Sequence, residues 1–191
     1  SAADKNYVKA WLNQNNLQEK SLICIGASAS FPLKCWPLKY FKQLIERIIQ
    51  SGASVVLVGA SGEIETEKLV EHFKGSQNVF SAAGIFTILQ SAALLEMANA
   101  VIANDTSVVH LAEVMRTPSI ALFGPTVKEF GYAPMLEQSR LIETDLALRC
   151  RPCSRTGKGT CKNRDQQICM YSISTQKVWD AAQLLLPKVR T

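Results

Sequence analysis

The stretch Ala100-Val101-Ile102-Ala103-Asn104-Asp105-Thr106-Ser107-Val108-Val109-His110 decides the fold. A short apolar run ends on Asn104. Asp105, Thr106 and Ser107 then open a segment whose helical spacing continues to Met115. A continuous apolar run of strand length suits a strand buried on both faces, as in a parallel sheet covered by helices. Working outward, the same unit recurs. Leu22–Gly26, Ser54–Val58, Asn78–Ser81 and Pro118–Phe123 read as further strands, and Arg140–Thr144 as a sixth. Amphipathic segments separate them. In the clearest, Leu38, Phe41, Leu44, Ile45, Ile48 and Ile49 share one helical face, with Lys42, Glu46 and Arg47 opposite. Pro37 is expected as its first helical residue, and Gly52 follows its end. Further helices are expected over Gly62–Phe73, Thr87–Met97, Thr106–Met115 and Thr175–Leu186, the last capped by Ser174. This βαβ rhythm defines a doubly wound α/β fold, Rossmann-like, with a parallel sheet and ligands at the carboxyl ends of its strands.

The composition agrees. A chain of 191 residues that is 47% hydrophobic can bury one core, and residues 1–191 are read as a single domain. No apolar run reaches membrane-spanning length. The chain opens on Ser1-Ala2-Ala3 rather than Met, and the expectation is a piece of a longer protein. The formal charge of +5 favours an anionic ligand or an acidic membrane surface, although much of it is scattered at the spacing of solvated helix faces. No basic run is interleaved with aromatics, so nucleic acid is not an expected partner.

Small and polar residues collect where each strand ends: Gly26-Ala27-Ser28-Ala29-Ser30, Gly59-Ala60-Ser61-Gly62-Glu63, Ala83-Gly84-Ile85-Phe86, Asn104-Asp105-Thr106-Ser107 and Gly124-Pro125-Thr126. Turn chemistry demands some of this, but five such turns in series favour a crevice of nucleotide size. The first is not a GxGxxG fingerprint, and no acidic residue ends the second strand to meet a dinucleotide ribose. No Gly-Lys-Ser/Thr follows it, so it is not a P-loop either. Instead Lys34-Cys35-Trp36-Pro37 brings a lysine to the approach of a helix, a place that suits a phosphate oxygen. Lys34 reads equally as a partly exposed loop lysine, and Trp36 as a core residue. Thr106 and Ser107 offer hydroxyls and free N–H groups at a positive helix end. Asp105 reads most simply as the N-cap of that helix. His110 lies one turn further along on the same side.

Taken together, Gly26-Ala27-Ser28, Lys34-Cys35-Trp36-Pro37, Asn104 through Ala112 and Ala121-Leu122-Phe123-Gly124-Pro125-Thr126 resemble the ADP-heptose:lipopolysaccharide heptosyltransferases, glycosyltransferase family 9. The resemblance runs from about Leu22 to Leu186. It implies a GT-B enzyme of two Rossmann-like domains, of which this chain is the C-terminal, donor-binding half. Ser28, Lys34, Asp105, Thr106 and Ser107 would hold the donor phosphates. Glu63 would lie near the ribose and Phe86 beside the nucleobase, while the role of His110 stays open. The implied reaction is an inverting transfer from ADP-heptose or a related nucleotide sugar, with no metal cofactor. The acceptor would be a lipopolysaccharide core or another glycan. The general base is expected in the N-terminal domain, so the fragment alone would be inactive. A cytoplasmic setting, peripheral at the inner face of the inner membrane, follows from the same resemblance. Ser107 departs from the family, where glycine is commoner.

Cys150, Cys153, Cys161 and Cys169 form a separate signal: four thiols within twenty residues are a candidate structural zinc site, although the spacing is not a paired CxxC…CxxC. Reduced thiols or disulfides are the alternatives, and a cytoplasmic setting disfavours stable disulfides. If metal binds there, the segment is expected to stand apart from the donor crevice. Two other functions stay open at this level, a non-catalytic nucleotide-binding module and a zinc-stabilised interaction domain.

Overall fold

The computed structural model describes residues 1–186. It contains one six-stranded parallel sheet made of β1 (Leu22–Gly26), β2 (Ser54–Leu57), β3 (Val79–Ser81), β4 (Ala100–Asn104), β5 (Ser119–Phe123) and β6 (Arg140–Glu143), in the order β3-β2-β1-β4-β5-β6. Strand order reverses between β1 and β4, and at such a switch point the flanking connections leave on opposite faces and open a crevice.

Side-chain alternation along the strands divides the core between two faces. Ile23, Ile25, Val55, Leu57, Ile102 and Ile120 point to one side. There they meet α2 (Leu38–Gln50) through Phe41, Leu44 and Ile48, and α7 (Thr175–Gln183) through Val178 and Ala182. Cys24, Val56, Val101, Ala103, Ala121 and Phe123 point to the other. That layer is closed by α1 (Ala2–Gln14), α4 (Ile88–Glu96) and α5 (Ser107–Val114). Because both faces are covered, β1, β2, β4 and β5 are buried along their whole length, and this is why they read as unbroken apolar runs. The third helix, α3 (Ile64–His72), and the short α6 (Ile168–Tyr171) complete the set among the described residues.

Several boundaries differ from expectation. Pro37 precedes α2 as its N-cap, because its ψ of 130° is extended. Glu63, Thr87 and Thr106 are likewise N-caps rather than interior residues. At Thr87 a reciprocal pair of bonds with Gln90 forms a capping box. The expected helix Thr175–Leu186 ends at Gln183. The domain drawn over residues 1–191 extends beyond the described residues at its last five positions. Helix α1 has no counterpart in the sequence reading. Ser1 and Asp4 cap it, and only Val8 and Leu12 along it are buried, too sparse a stripe to stand out.

Candidate functional site

A crevice of about 360 Å³ opens over the carboxyl ends of β1 and β4. Ser28, Lys34, Glu63, Asp105, Thr106, Ser107 and His110 all line it, so the structure brings these residues together although they come from three separate connections. Phe86 does not line it. Its ring packs edge-on against Trp11, with centroids 5.4 Å apart, and against Tyr7. Helix α1 therefore packs against the ring assigned to a nucleobase.

Asp105 does not cap α5. It is buried at the floor of the crevice, where Lys34 Nζ lies 2.8 Å from its Oδ2 and Thr126 Oγ1 donates to the same oxygen at 2.7 Å. The side chains of Lys34 and Asp105 are 14% and 5% exposed, so a partly exposed lysine, as expected, is paired with a buried carboxylate. The ammonium has three donors, and the pairing with Asp105 uses one. The cap position of α5 falls to Thr106, whose side chain makes no capping bond. Its Oγ1 is buried without a hydrogen-bond partner. A buried hydroxyl in this state costs about 1–3 kcal/mol until a ligand or water meets it. The first N–H groups of α5 add uncapped donors, and the positive helix end adds attraction for anions.

Asn104, part of the motif but given no role of its own by the sequence, fixes the frame. Fully buried, it donates from Nδ2 to Ala27 O at 2.6 Å and accepts from the Trp36 backbone N–H at 2.9 Å. One side chain thus ties the end of β4 to the loop after β1 and to the entry of α2. Trp36 is a core residue as expected: its Nε1 donates to Ile173 O at 2.9 Å, and its ring meets Phe41 edge-on. The Ser28 hydroxyl lies 3.0 Å from Thr66 Oγ1 and accepts from the Thr66 backbone N–H at 3.3 Å, so it also anchors α3. Burial, and then the Glu65 carboxylate, push the neighbouring Cys35 thiol up to about 11.

Glu63 stands where the crevice meets a second hollow of about 220 Å³, lined by Ser61, Thr66, Glu67, Ser81 and Ala83 among others. Its carboxylate folds back over Gly59, where a Cβ would collide with Oε2, and Gly59 itself takes a φ of +156°. Tyr132 and Thr156 also line the crevice, and the rings of Tyr132 and exposed His110 lie with centroids 6.3 Å apart. Tyr132 had no local signal. Its loop is pinned by Glu113, which accepts from the Met135 and Leu136 backbones at 2.8 and 2.9 Å.

The cysteine segment is part of this wall, contrary to the expectation that it stands apart. Thr156 lines the crevice, and Gly157 lies so near the Lys34 stem that a Cβ there would fall 2.6 Å from Cγ. With a φ of +78°, Gly157 meets both demands. Arg151 anchors the segment, donating to Gly124 O at 2.6 Å and Thr126 O at 2.8 Å and pairing with Glu143. Burial and then the neighbouring Cys150 and Cys161 raise the Cys153 thiol, and burial and then Cys153 and Cys161 raise that of Cys169, so the four cysteines neighbour one another. Among the described residues no three His, Cys, Asp or Glu side chains stand where they could hold one ion. Cys150 Sγ accepts from Asn163, Cys161 Sγ accepts from the Gln167 backbone, and the Cys153 backbone N–H bonds to Pro125 O. Cys169 is buried on α6 beside Met170, and burial raises its thiol to about 11.

Reversed strand order, an uncapped helix end and a lysine over the switch point define a doubly wound α/β protein with a crevice suited to an anion. The chain belongs to glycosyltransferase family 9 (heptosyltransferase), whose profile matches residues 2–162. It is similar to lipopolysaccharide heptosyltransferase 2 of Escherichia coli K12, 28% identical over 147 residues that make up 74% of this chain and 41% of that protein. Lipooligosaccharide heptosyltransferase 2 of Haemophilus influenzae is 31% identical over 140 residues, 68% of this chain and 39% of that one. The solved E. coli ADP-heptose lps heptosyltransferase II shares the fold, with a TM-score of 0.75 at 23% identity, covering 97% of this chain and 51% of that one. The chain thus spans less than half the length of these two curated relatives.

Proposed function

We propose that this chain is the donor-binding half of a two-domain GT-B glycosyltransferase that transfers heptose from ADP-heptose to a lipopolysaccharide-core acceptor. The observation that carries the reading is the unpartnered Thr106 hydroxyl at the uncapped start of α5, set in the same crevice wall as the Lys34 ammonium. The diphosphate would lie between them. Glu63 would face the ribose hydroxyls, and the base would enter the hollow beside Ser61 and Ser81 rather than meet Phe86. The sugar would then extend toward His110 and Tyr132.

In the reaction an acceptor hydroxyl attacks the anomeric carbon, with inversion, as the bond to the diphosphate oxygen breaks. Negative charge grows on the departing nucleoside diphosphate, where Lys34 and the α5 N–H groups are already oriented to receive it. Removing one such preorganised donor costs about 2.7–4 kcal/mol of transition-state stabilisation. These groups supply the charge compensation without calling on a metal ion. The general base belongs to the partner domain, so this chain alone binds ADP weakly and transfers nothing. The reading sets the protein on the cytoplasmic side of the inner membrane, peripherally bound. In keeping with that, no helix among the described residues is long and apolar enough to cross a membrane. The test is acceptor-dependent ADP release from ADP-heptose by the intact protein. Nucleotide binding without turnover would leave a non-catalytic module, and no ADP binding at millimolar concentration would remove the donor site.

A further inference from the structure

The positive charge of this chain is not diffuse. Six of its 21 basic residues and none of its 16 acidic ones fall in Arg149–Arg164. The remaining 15 basic and 16 acidic residues leave the rest of the chain one charge negative. The whole excess of +5 therefore resides in the segment that walls the crevice. Of its six cations only Arg151 is neutralised, by Glu143. Arg149, Arg155, Lys158, Lys162 and Arg164 are exposed, and none forms an ion pair among the described residues.

The segment is also held in place. Arg151 and the Cys153 N–H fasten it to the turn after β5, and Gln167 Nε2 donates to Pro32 O at 2.9 Å. Thr156 and Gly157, which touch the crevice and the Lys34 stem, are flanked directly by Arg155 and Lys158. Those two cations thus flank the stretch of wall that meets the crevice and the Lys34 stem, beside the bond to the diphosphate that breaks in the proposed reaction.

We propose that Arg149–Arg164 is a docking surface for an anionic acceptor, a glycan whose phosphate or carboxylate groups lie close to the hydroxyl that is glycosylated. This rests on the donor-site reading above. Like-charged groups crowded at one rim repel each other and gain most when a polyanion spans several of them, and rim charges chiefly set encounter rate and salt dependence. A bilayer would need the cations in one plane, whereas an acceptor needs only their adjacency to the crevice, which Thr156 and Gly157 establish.

The experiment compares the intact protein with its Arg155→Gln/Lys158→Gln/Lys162→Gln variant, using ADP-heptose and deacylated inner-core lipopolysaccharide as a soluble anionic acceptor. The three side chains are exposed, so melting temperature and ADP affinity should stay at their wild-type values. The acceptor KM should rise about tenfold, the effect of losing three exposed ion contacts of ordinary strength. Its salt dependence should weaken, kcat and the donor KM should hold, and tripolyphosphate should compete with the acceptor in the wild type only. An unchanged acceptor KM overturns the inference. So does a variant that loses only its sedimentation with phosphatidylglycerol vesicles, because the surface would then serve the membrane. Failure of the donor reading looks different: the wild type itself would release no ADP.

Discussion

Replacing Lys34 by alanine in the ligand-free protein should cost far more stability than an exposed lysine could. The substitution leaves the Asp105 carboxylate, 5% exposed, without its cation. Breaking one side of a buried pair costs about 3–5 kcal/mol. Thr126 Oγ1 still donates to Oδ2 at 2.7 Å, and water can enter from the crevice, so the lower end, about 3 kcal/mol, is expected. For a chain of this size that lowers the melting temperature by about 6–12 °C. Asp105→Asn should cost less, about 1–2 kcal/mol, because the Lys34 ammonium can turn toward crevice water. The decisive quantity is the double variant. Lys34→Ala/Asp105→Asn buries no uncompensated charge and should be more stable than Lys34→Ala alone. Urea unfolding of the four proteins at constant ionic strength gives this coupling directly. If Lys34→Ala lies within about 0.5 kcal/mol of wild type, in the range of an ordinary surface substitution, the pair as described is wrong. Additivity of the two single changes would refute the coupling in the same way.

Asn104→Ala strands the Ala27 carbonyl and the Trp36 N–H in the interior and should cost about 2–4 kcal/mol by urea unfolding; a loss below 1 kcal/mol would mean water replaces both bonds. Burial raises the Cys24 thiol to about 12, so the unfolded chain loses that proton first. Stability should therefore hold below pH 9 and fall as the pH rises from 9 toward 12, by about 1.4 kcal/mol per pH unit from this group. Cys24→Ala should flatten that slope in urea titrations at pH 8, 9.5 and 10.5, and an unaltered slope contradicts the assignment. A chelator should leave the melting temperature unchanged under reducing conditions, because no three of the described thiols stand where they could hold one ion; a fall of several degrees would show that they converge on an ion after all.

The fold was legible where its physics is local. Strands buried on both faces must be apolar throughout, so β1, β2, β4 and β5 announce themselves in runs such as Val101-Ile102-Ala103. A helix laid on a sheet carries one broad apolar stripe, as Phe41, Leu44, Ile45 and Ile48 do. Helix α1 escaped because its hold on the sheet is narrow: only Val8 and Leu12 along it are buried, while Tyr7 and Trp11, one turn apart, pack on Phe86 from another segment. Phe86 meets Tyr7 and Trp11 and does not line the crevice, and no local pattern foretells a pairing between segments so far apart.

At the crevice, the residue types were legible and their bonding was not. A carboxylate just before a helix reads as a cap, and only the tertiary approach of Lys34 and Thr126 turns Asp105 into the centre of a buried network. That arrangement has a consequence for binding. A lone, largely buried ammonium would be costly in the empty protein, whereas the pair is neutral and keeps Lys34 extended over the β1–β4 junction. An arriving diphosphate then meets donors already in place, with little ordering left to lose. The opposing term is repulsion between the phosphate and Asp105, which Thr126 limits by holding Oδ2 in a hydrogen bond. Preorganisation therefore depends on the Asp105–Thr126 bond as much as on Lys34. Thr126 is held in turn through its carbonyl by Arg151, so the cysteine segment supports the proposed phosphate site through the frame around Asp105.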